Sequence, residues 1–468
     1  MGSSRRRLAA FVVSVVGAVG CNAIFGLDDW ERANVGPDAS DAASEDGNAV
    51  DAVDAAPAED AGDASRPTAL AIGAVSSNGC VLLSDASVWC FGLNVVGGVG
   101  VSPPSSDGVP PTRVLGLPPA AVLASGSNFA CVIAKGDASV WCWGRNTLGQ
   151  LGHDPSTDLL CQTSDRCTPT PQKIPGLVAK YISAGLGVAC AISTTNAVFC
   201  WGTDASAVLR GSSATTTGDS FTPVAIAGIS STAGQRMVEV SVSKAAPTVV
   251  CGVDETKKAW CWGSNSQGRL GHAQNTEGDV DCAGEPCNGV PKLVVTDVGT
   301  PLEDVAHVWA GRAMFLTKSD GTLWSWGNNT FGLLGLGSSD NGVHPHPTEV
   351  PGITNVKTVG TDEATCAGGA DGLWCWGSGR NLKVTPAPVP CNVGGFMVGC
   401  AHSPTKMSSV PAIVQVDTAI DHVLALTPSG VALGWGGNRH GRAGHPFGTA
   451  GDDSNGDNGT PTPVVGLP

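Results

Sequence analysis

Apolar positions in this chain fall into short runs of alternating period, with no long helical stripe among them. In the clearest stretch, Phe129-Ala130-Cys131-Val132-Ile133-Ala134 leads through Lys135-Gly136-Asp137-Ala138 into Ser139-Val140-Trp141-Cys142-Trp143-Gly144. Two apolar runs around a polar Gly-containing turn predict a β-hairpin. Along Val140 to Trp143 a period of two places both indoles on one face and Cys142 on the other. Gly144 allows a backbone turn that a Cβ would obstruct. Asn146 and Gly149 also suit a turn, because both tolerate positive φ and Asn can bond its own backbone.

The aromatic-Gly pair that ends this stretch recurs as Phe91-Gly92, Trp143-Gly144, Trp201-Gly202, Trp262-Gly263, Trp326-Gly327, Trp376-Gly377 and Trp435-Gly436. The seven markers lie 52, 58, 61, 64, 50 and 59 residues apart, a spacing that suits propeller or solenoid units and is too short for independent domains. Each unit reads as an apolar strand, a second strand, a turn, the marker strand and a variable loop. The fuller pattern Trp-Gly-x-Asn-x-x-Gly-x-Leu-Gly spans Trp143 to Gly152, Trp262 to Gly271 and Trp326 to Gly335. It is looser in Phe91 to Gly100 and Trp435 to Gly444, and decays in Trp201 to Arg210 and after Trp376.

These units resemble the repeats of the regulator of chromosome condensation family. The resemblance covers residues 67–468 and implies an all-β, seven-bladed β-propeller. The C-terminal stretch Thr460 to Pro468 matches Pro110 to Pro118, read as the strand that opens an internal unit, whereas the first unit starts without such a strand. The C-terminal strand is therefore expected to complete the N-terminal blade and close the ring.

With 64 Gly, 31 Pro and one Tyr, composition supports turns and strands over a doubly wound α/β enzyme. The net charge of -15 is uneven: residues 22–65 hold twelve acidic residues against Arg32 alone. From Pro67 onward 21 Lys and Arg face 29 Asp and Glu. Neither part offers a basic surface for a phosphate backbone, so nucleic acid is not an expected partner.

The chain begins with Arg5-Arg6-Arg7 and the apolar run Leu8 to Gly20, the layout of a secretory signal peptide over residues 1–20. Gly17-Ala18-Val19-Gly20-Cys21 resembles the lipobox of bacterial lipoproteins, with Ala18 where Leu is commonest. The resemblance implies acylation of Cys21 and a membrane lipid anchor; a plain secreted protein is the rival reading. Asn22 follows in place of the Asp of inner-membrane retention, which points to the outer membrane. Residues 21–66 then form a lipidated N-terminus and an acidic spacer too poor in apolar bulk to offset ordering entropy, hence disordered.

Seventeen cysteines less Cys21 leave sixteen, an even number in an exported chain. Five pairs sit at equivalent blade positions: Cys80 with Cys90, Cys131 with Cys142, Cys190 with Cys200, Cys251 with Cys261, and Cys366 with Cys375. A separation of nine to eleven residues about a hairpin turn sets such residues opposite each other, at bridging distance. Three more pairs fall in loops: Cys161 with Cys167, Cys282 with Cys287, and Cys391 with Cys400. The fifth unit has Phe315 and Ser325 near the paired positions and the seventh has Leu424 and Gly434, so both members are lost together. The rival is structural zinc, but no Cys-x-x-Cys is present.

No Gly-x-Ser-x-Gly, His-Glu-x-x-His or Gly-Lys phosphate loop occurs, and acids and histidines show no fixed place in the repeat. No catalytic, metal or cofactor residue is assigned. His344-Pro345-His346-Pro347 reads as an extended loop ahead of a metal site. Asp453 to Gly459 spaces oxygens as calcium loops do, yet lacks the closing Glu and reads as a solvated turn. Loops 153–172, 203–222, 272–291, 336–349 and 380–411 vary most, and recognition residues would be placed there. The expected protein is a monomeric cell-envelope lipoprotein without cofactor, binding a protein or glycan through those loops. The alternative is an extracytoplasmic propeller hydrolase or lyase acting on polysaccharide or peptidoglycan.

Overall fold

The computed structural model describes residues 66–468, except 210–217, 230, 232–233, 235, 385–388, 394–395, 409, 447 and 449–455. The signal segment, Cys21 and the acidic spacer lie outside the described residues.

Seven antiparallel meanders of four strands follow one another. Blade one is Ala69–Val75, Asn78–Leu83, Val88–Asn94 and Ser105–Arg113. Blade two has Ala120–Ser125, Phe129–Ala134, Ser139–Arg145 and the first half of the long strand Arg166–Ala184. The second half of that strand opens blade three, which continues with Val188–Ser193, Val198–Gly202 and Ser220–Ala225. Blade four holds Met237–Val242, Val249–Asp254, Ala259–Ser264 and Glu285–Leu293; blade five holds Val305–Trp309, Ala313–Lys318, Leu323–Gly327 and His344–Glu349. Blade six comprises Val356–Thr361, Ala364–Gly369, Gly372–Ser378 and Phe396–Lys406; blade seven comprises Gln415–Thr418, His422–Leu426, Ala432–Gly437 and Asp457–Pro463.

The local chemistry explains the meander. Asp85, Asp137 and Asp320 each accept from the backbone N–H two residues on, at 2.9, 3.0 and 2.9 Å, which closes the turn between second and third strands. At the other end of the third strand the marker glycine makes a bulge in every blade: the register against the outer strand shifts at Gly92, Gly144, Gly202, Gly263, Gly327, Gly377 and Gly436. Gly144 has φ of 104°, and a Cβ there would meet the Asn128 carbonyl oxygen at 2.5 Å.

Blades pack face to face, and the alternation read from the sequence decides which face meets which neighbour. Trp141 and Trp143 both pack on the cluster shared with blade one, whereas Cys131 and Cys142 join the cluster that holds Trp201 of blade three. Each marker aromatic is fully buried: Phe91, Trp143, Trp201, Trp262, Trp326, Trp376 and Trp435 are all 0% exposed. Six of them donate their indole N–H to the preceding blade. The acceptors are the main-chain oxygens of Gly98, Gln150, Val208, Arg269, Leu333 and Lys383, at 3.2, 2.9, 3.0, 2.9, 2.8 and 3.1 Å. The acceptor always immediately precedes the Leu position of the repeat. A buried indole N–H needs a partner, so each bond satisfies a donor and joins two blades at once.

Closure differs from the sequence expectation. The C-terminal strand Asp457–Pro463 pairs with Ala432–Gly437 and is the outer strand of blade seven, while blade one has four strands of its own. The likeness of Thr460–Pro468 to Pro110–Pro118 is real, but Pro110 to Arg113 ends blade one and does not open blade two. An apolar strand after a variable loop looks alike in sequence whether it pairs backward or forward, and the structure pairs it backward. The ring is closed by packing of blade seven on blade one, where Leu424, Leu426 and Ala432 share a cluster with Ile72, Val81 and Phe91.

Candidate functional site

In a four-stranded meander, the turns after the first strand and the loops after the third lie at one end of the sheet. The described chain enters at the other end. There the Thr68 carbonyl accepts from Ser84 N, and Ala69 N donates to the Gly430 carbonyl; both partners lie in turns between second and third strands. The variable loops therefore occupy the end of the ring opposite to the entry of Arg66. They also lie within blades, from third to outer strand, and not between blades as the sequence suggested.

Three of these loops, on blades two, four and six, fold into extra hairpins. Leu159–Leu160 pairs with the start of Arg166–Ala184, Val280–Cys282 with Glu285–Leu293, and Val389–Val393 with Phe396–Lys406. Each is pinned by a disulfide: Cys161 with Cys167, Cys282 with Cys287, and Cys391 with Cys400. The five blade pairs are bridged as well, Cys80 with Cys90, Cys131 with Cys142, Cys190 with Cys200, Cys251 with Cys261, and Cys366 with Cys375. All five are in direct register between second and third strands with Cα atoms 4.1 Å apart. The hairpins expose apolar side chains: Leu159 is 55%, Leu160 60% and Met397 68% exposed.

The loop Asn has a role beyond turn propensity. Asn146 Oδ1 accepts from Leu151 N at 2.9 Å, and the same bond recurs from Val99 to Asn94, Leu270 to Asn265, Leu334 to Asn329 and Ala443 to Asn438. Asp204 substitutes in blade three, and Gly379 holds the place in blade six. In three blades the Asn amide also binds a loop carboxylate, which takes a histidine on its other oxygen. His153 Nε2 meets Asp158 at 2.9 Å, His272 meets Asp279 at 2.9 Å, and His344 meets Asp340 at 2.8 Å. The matching Asn bonds are 2.6, 2.7 and 2.9 Å. Burial raises the Asp158 and Asp279 carboxyls, but the His and Asn donors outweigh it and leave both below the usual range. Two of these histidines share a fixed place in the repeat, Gly152-His153 and Gly271-His272, which blade seven also fills with Gly444-His445, a Leu/Ala-Gly-His signal legible in the sequence.

Charged side chains gather at the same end, on blades five to seven. Arg312 Nε donates to Asp362 at 2.8 Å, Arg380 lies 3.6 Å and Lys383 4.0 Å from Glu363, and Arg442 pairs with Asp421. Beside them His422 is fully buried; burial and the positive Arg442 push its pKa down to about 3. The inner strands line a central channel of about 210 Å³ that includes Tyr181, Glu239, Trp309, Gln415 and Asp417. Lys244, from the first turn of blade four, reaches Asp417 Oδ2 at 2.5 Å.

His344 and His346 do not converge: His344 binds Asp340 while His346 Nδ1 bonds the Val295 carbonyl at 3.2 Å. Among the described residues no group of three or more His, Cys, Asp or Glu is placed to hold a metal. Of the acidic stretch 453–459, residues 453–455 lie outside the described ones, and Asp457 to Gly459 belong to the outer strand of blade seven. Among the described residues no helix is long and apolar enough to cross a membrane.

The pattern described as the Regulator of chromosome condensation (RCC1) repeat matches residues 137–192 and 320–361, and a second pattern of that description matches 122–150. Over these residues the chain matches the regulator of chromosome condensation repeat. It is 25% identical over 379 residues to the ultraviolet-B receptor UVR8 of Arabidopsis thaliana, covering 80% of this chain and 78% of the receptor. It is also 25% identical over 396 residues to the human E3 ubiquitin-protein ligase HERC2, but there it spans only 7% of the relative's length. Among solved structures, Prp20p of Saccharomyces cerevisiae superposes with a TM-score of 0.64 at 21% identity, covering 85% of this chain and 88% of that one. Human WBSCR16 superposes with a TM-score of 0.62 at 17% identity, covering 81% and 94%. At these identities the structural likeness speaks to fold, and the seven-bladed reading agrees with it.

Proposed function

We propose that this protein is an exported envelope lipoprotein, acylated at Cys21, whose propeller binds a macromolecular partner, protein or glycan, through the loops that follow the third strands. The observation that carries the binding reading is the set of three disulfide-pinned hairpins on alternate blades at one end of the ring. Pinning lowers the ordering entropy that a recognition loop loses on binding, and a rigid ring fixes the spacing of the three hairpins. The described chain enters at Arg66 on the end opposite to the hairpins, so the point of entry leaves them uncovered. Eight disulfides suit an oxidising compartment outside the cytoplasm. Prp20p is described by its binding to Gsp1p and histones, a precedent for protein recognition by this fold.

Photo-crosslinking in the native envelope tests the reading. A crosslinker at Leu160 or Met397 should capture a discrete partner, whereas one at Asp85 or Asp320, at the opposite end, should not. Equal capture from both ends overturns it. Metabolic labelling with a fatty acid tests the anchor separately: Cys21→Ser should abolish incorporation.

A further inference from the structure

Seven seams separate the seven blades, and two devices recur across them. One is the indole bond to the preceding blade; the other is a cross-strand disulfide whose face packs on the next marker aromatic. The seam between blades five and six lacks the disulfide but keeps the Trp376 indole bond. The seam between blades seven and one lacks both: Phe91 has no N–H to donate, and Leu424 stands opposite Gly434 where other blades have cysteines. It also lacks the shared strand that the sequence led us to expect. Among the described residues it is the seam with the fewest recurrent ties.

Without those two devices this seam rests on inner-strand side chains that bond the next blade's backbone, a tie also made by Glu239 and Ser241 to Val308 N and Ala310 N between blades four and five, and here alone among the described residues joined by a lysine from across the channel. The Gln415 carboxamide of blade seven accepts from Ile72 N at 3.0 Å and donates to the Ile72 carbonyl at 3.0 Å, so one side chain imitates a strand partner for blade one. Asp417 Oδ2 accepts from Ala74 N at 2.9 Å. Lys244, three blades away, extends across the channel and donates both to Asp417 and, at 2.6 Å, to the Ala74 carbonyl. Its one ammonium therefore touches the first and the last blade together. The turn that carries it, Ser243 to Thr248, is longer than the corresponding turns Gly126 to Asn128 and Gly185 to Gly187, which gives it this reach.

We propose that Gln415, Asp417 and Lys244 form the latch of the ring, and that the seam between blades seven and one is where the propeller opens. The bonds are charge-assisted or two-pronged, the kinds that can replace a missing ladder, yet all depend on three side chains. When Lys244 lets go, the seam loses its bridge and the channel loses the side chain that spans it.

Hydrogen exchange followed by mass spectrometry on the full, oxidised chain tests this. In the unaltered protein, amides of Ala69–Val75 should exchange faster than Val416, whose N–H is held by Thr358 Oγ1 at the seam between blades six and seven. In Lys244→Met, exchange in Ala69–Val75 and His422–Leu426 should rise by about tenfold or more, while Phe129–Ala134 and Val188–Ser193 stay unchanged. Gln415→Leu should do the same, and Thr358→Val, which removes a comparable bond at a seam with both recurrent ties, should not. A uniform rise through all blades, no rise at all, or an equal response to Thr358→Val overturns the proposal. Should a variant fail to fold, the comparison within the unaltered protein still decides.

Discussion

Phe315 stands directly opposite Ser325 in blade five, in the register where five other blades hold a disulfide, and its ring meets Trp376 of blade six edge-on at 6.0 Å. An aromatic ring thus fills the space that a bridge occupies elsewhere. The double substitution Phe315→Cys with Ser325→Cys should form a sixth bridge of this kind. Losing the ring costs about 3 kcal/mol and a short-loop bridge returns about as much. Oxidised protein should therefore melt near the unaltered value and reduced protein well below it; intact mass with and without reductant shows whether the bridge has formed.

The eight disulfides differ in access. Blade-ladder sulfurs are fully buried, whereas Cys161 and Cys391 of the hairpins are partly exposed. Thiol exchange needs an approach to one sulfur. Mild dithiol treatment under native conditions should open the Cys161–Cys167 and Cys391–Cys400 bridges first, with the buried Cys282–Cys287 and ladder bridges intact until unfolding. Differential alkylation and peptide mapping would show it, and ladder thiols appearing alongside those of Cys161 and Cys391 would contradict it.

Removing one indole donor should weaken one seam. Trp326→Phe keeps an aromatic ring in the buried site but leaves the Arg269 carbonyl oxygen without this partner. A loss of about 1 to 2 kcal/mol is expected from a denaturant melt. The same change at Trp324, whose Nε1 bonds only Thr322 Oγ1 in its own blade and is partly exposed, should cost less.

His422 gives stability a direction in pH. Its folded pKa is depressed from 6.5 to about 3, so the unfolded chain takes the proton first. The contribution is present above about pH 6.5 and is lost as pH falls toward 3. His422→Val, which places at this position the residue found at Val249 in blade four, should flatten the fall between pH 6 and 4 by on the order of 2 kcal/mol. Denaturant melts at several pH values measure it, and parallel curves for both proteins would refute it.

Deletion of 457–468 distinguishes the observed closure from the one the sequence suggested. The outer strand of blade seven and Val464, 9% exposed, would be lost. A sharp drop in melting temperature is expected, with increased exchange in Ala432–Gly437, which keeps its pairing with His422–Leu426 but loses the partner on its outer edge. Increased exchange confined to blade one would restore the original strand-closure reading.

The sequence by itself determined the repeat, the blade count, the face each indole and cysteine takes, and all eight cysteine partners. These are properties of local period and of residues that return to one another within a hairpin, so they survive without knowledge of the rest of the chain. Tertiary structure alone decided strand phase, because Pro110 to Arg113 and Thr460 to Pro463 carry no mark of which neighbour they pair with. It also decided that the indoles point to carbonyls about fifty residues upstream, that loop carboxylates meet His153 and His272, and that Lys244 crosses to Asp417. Each of these depends on distances between blades, which only closure of the ring fixes.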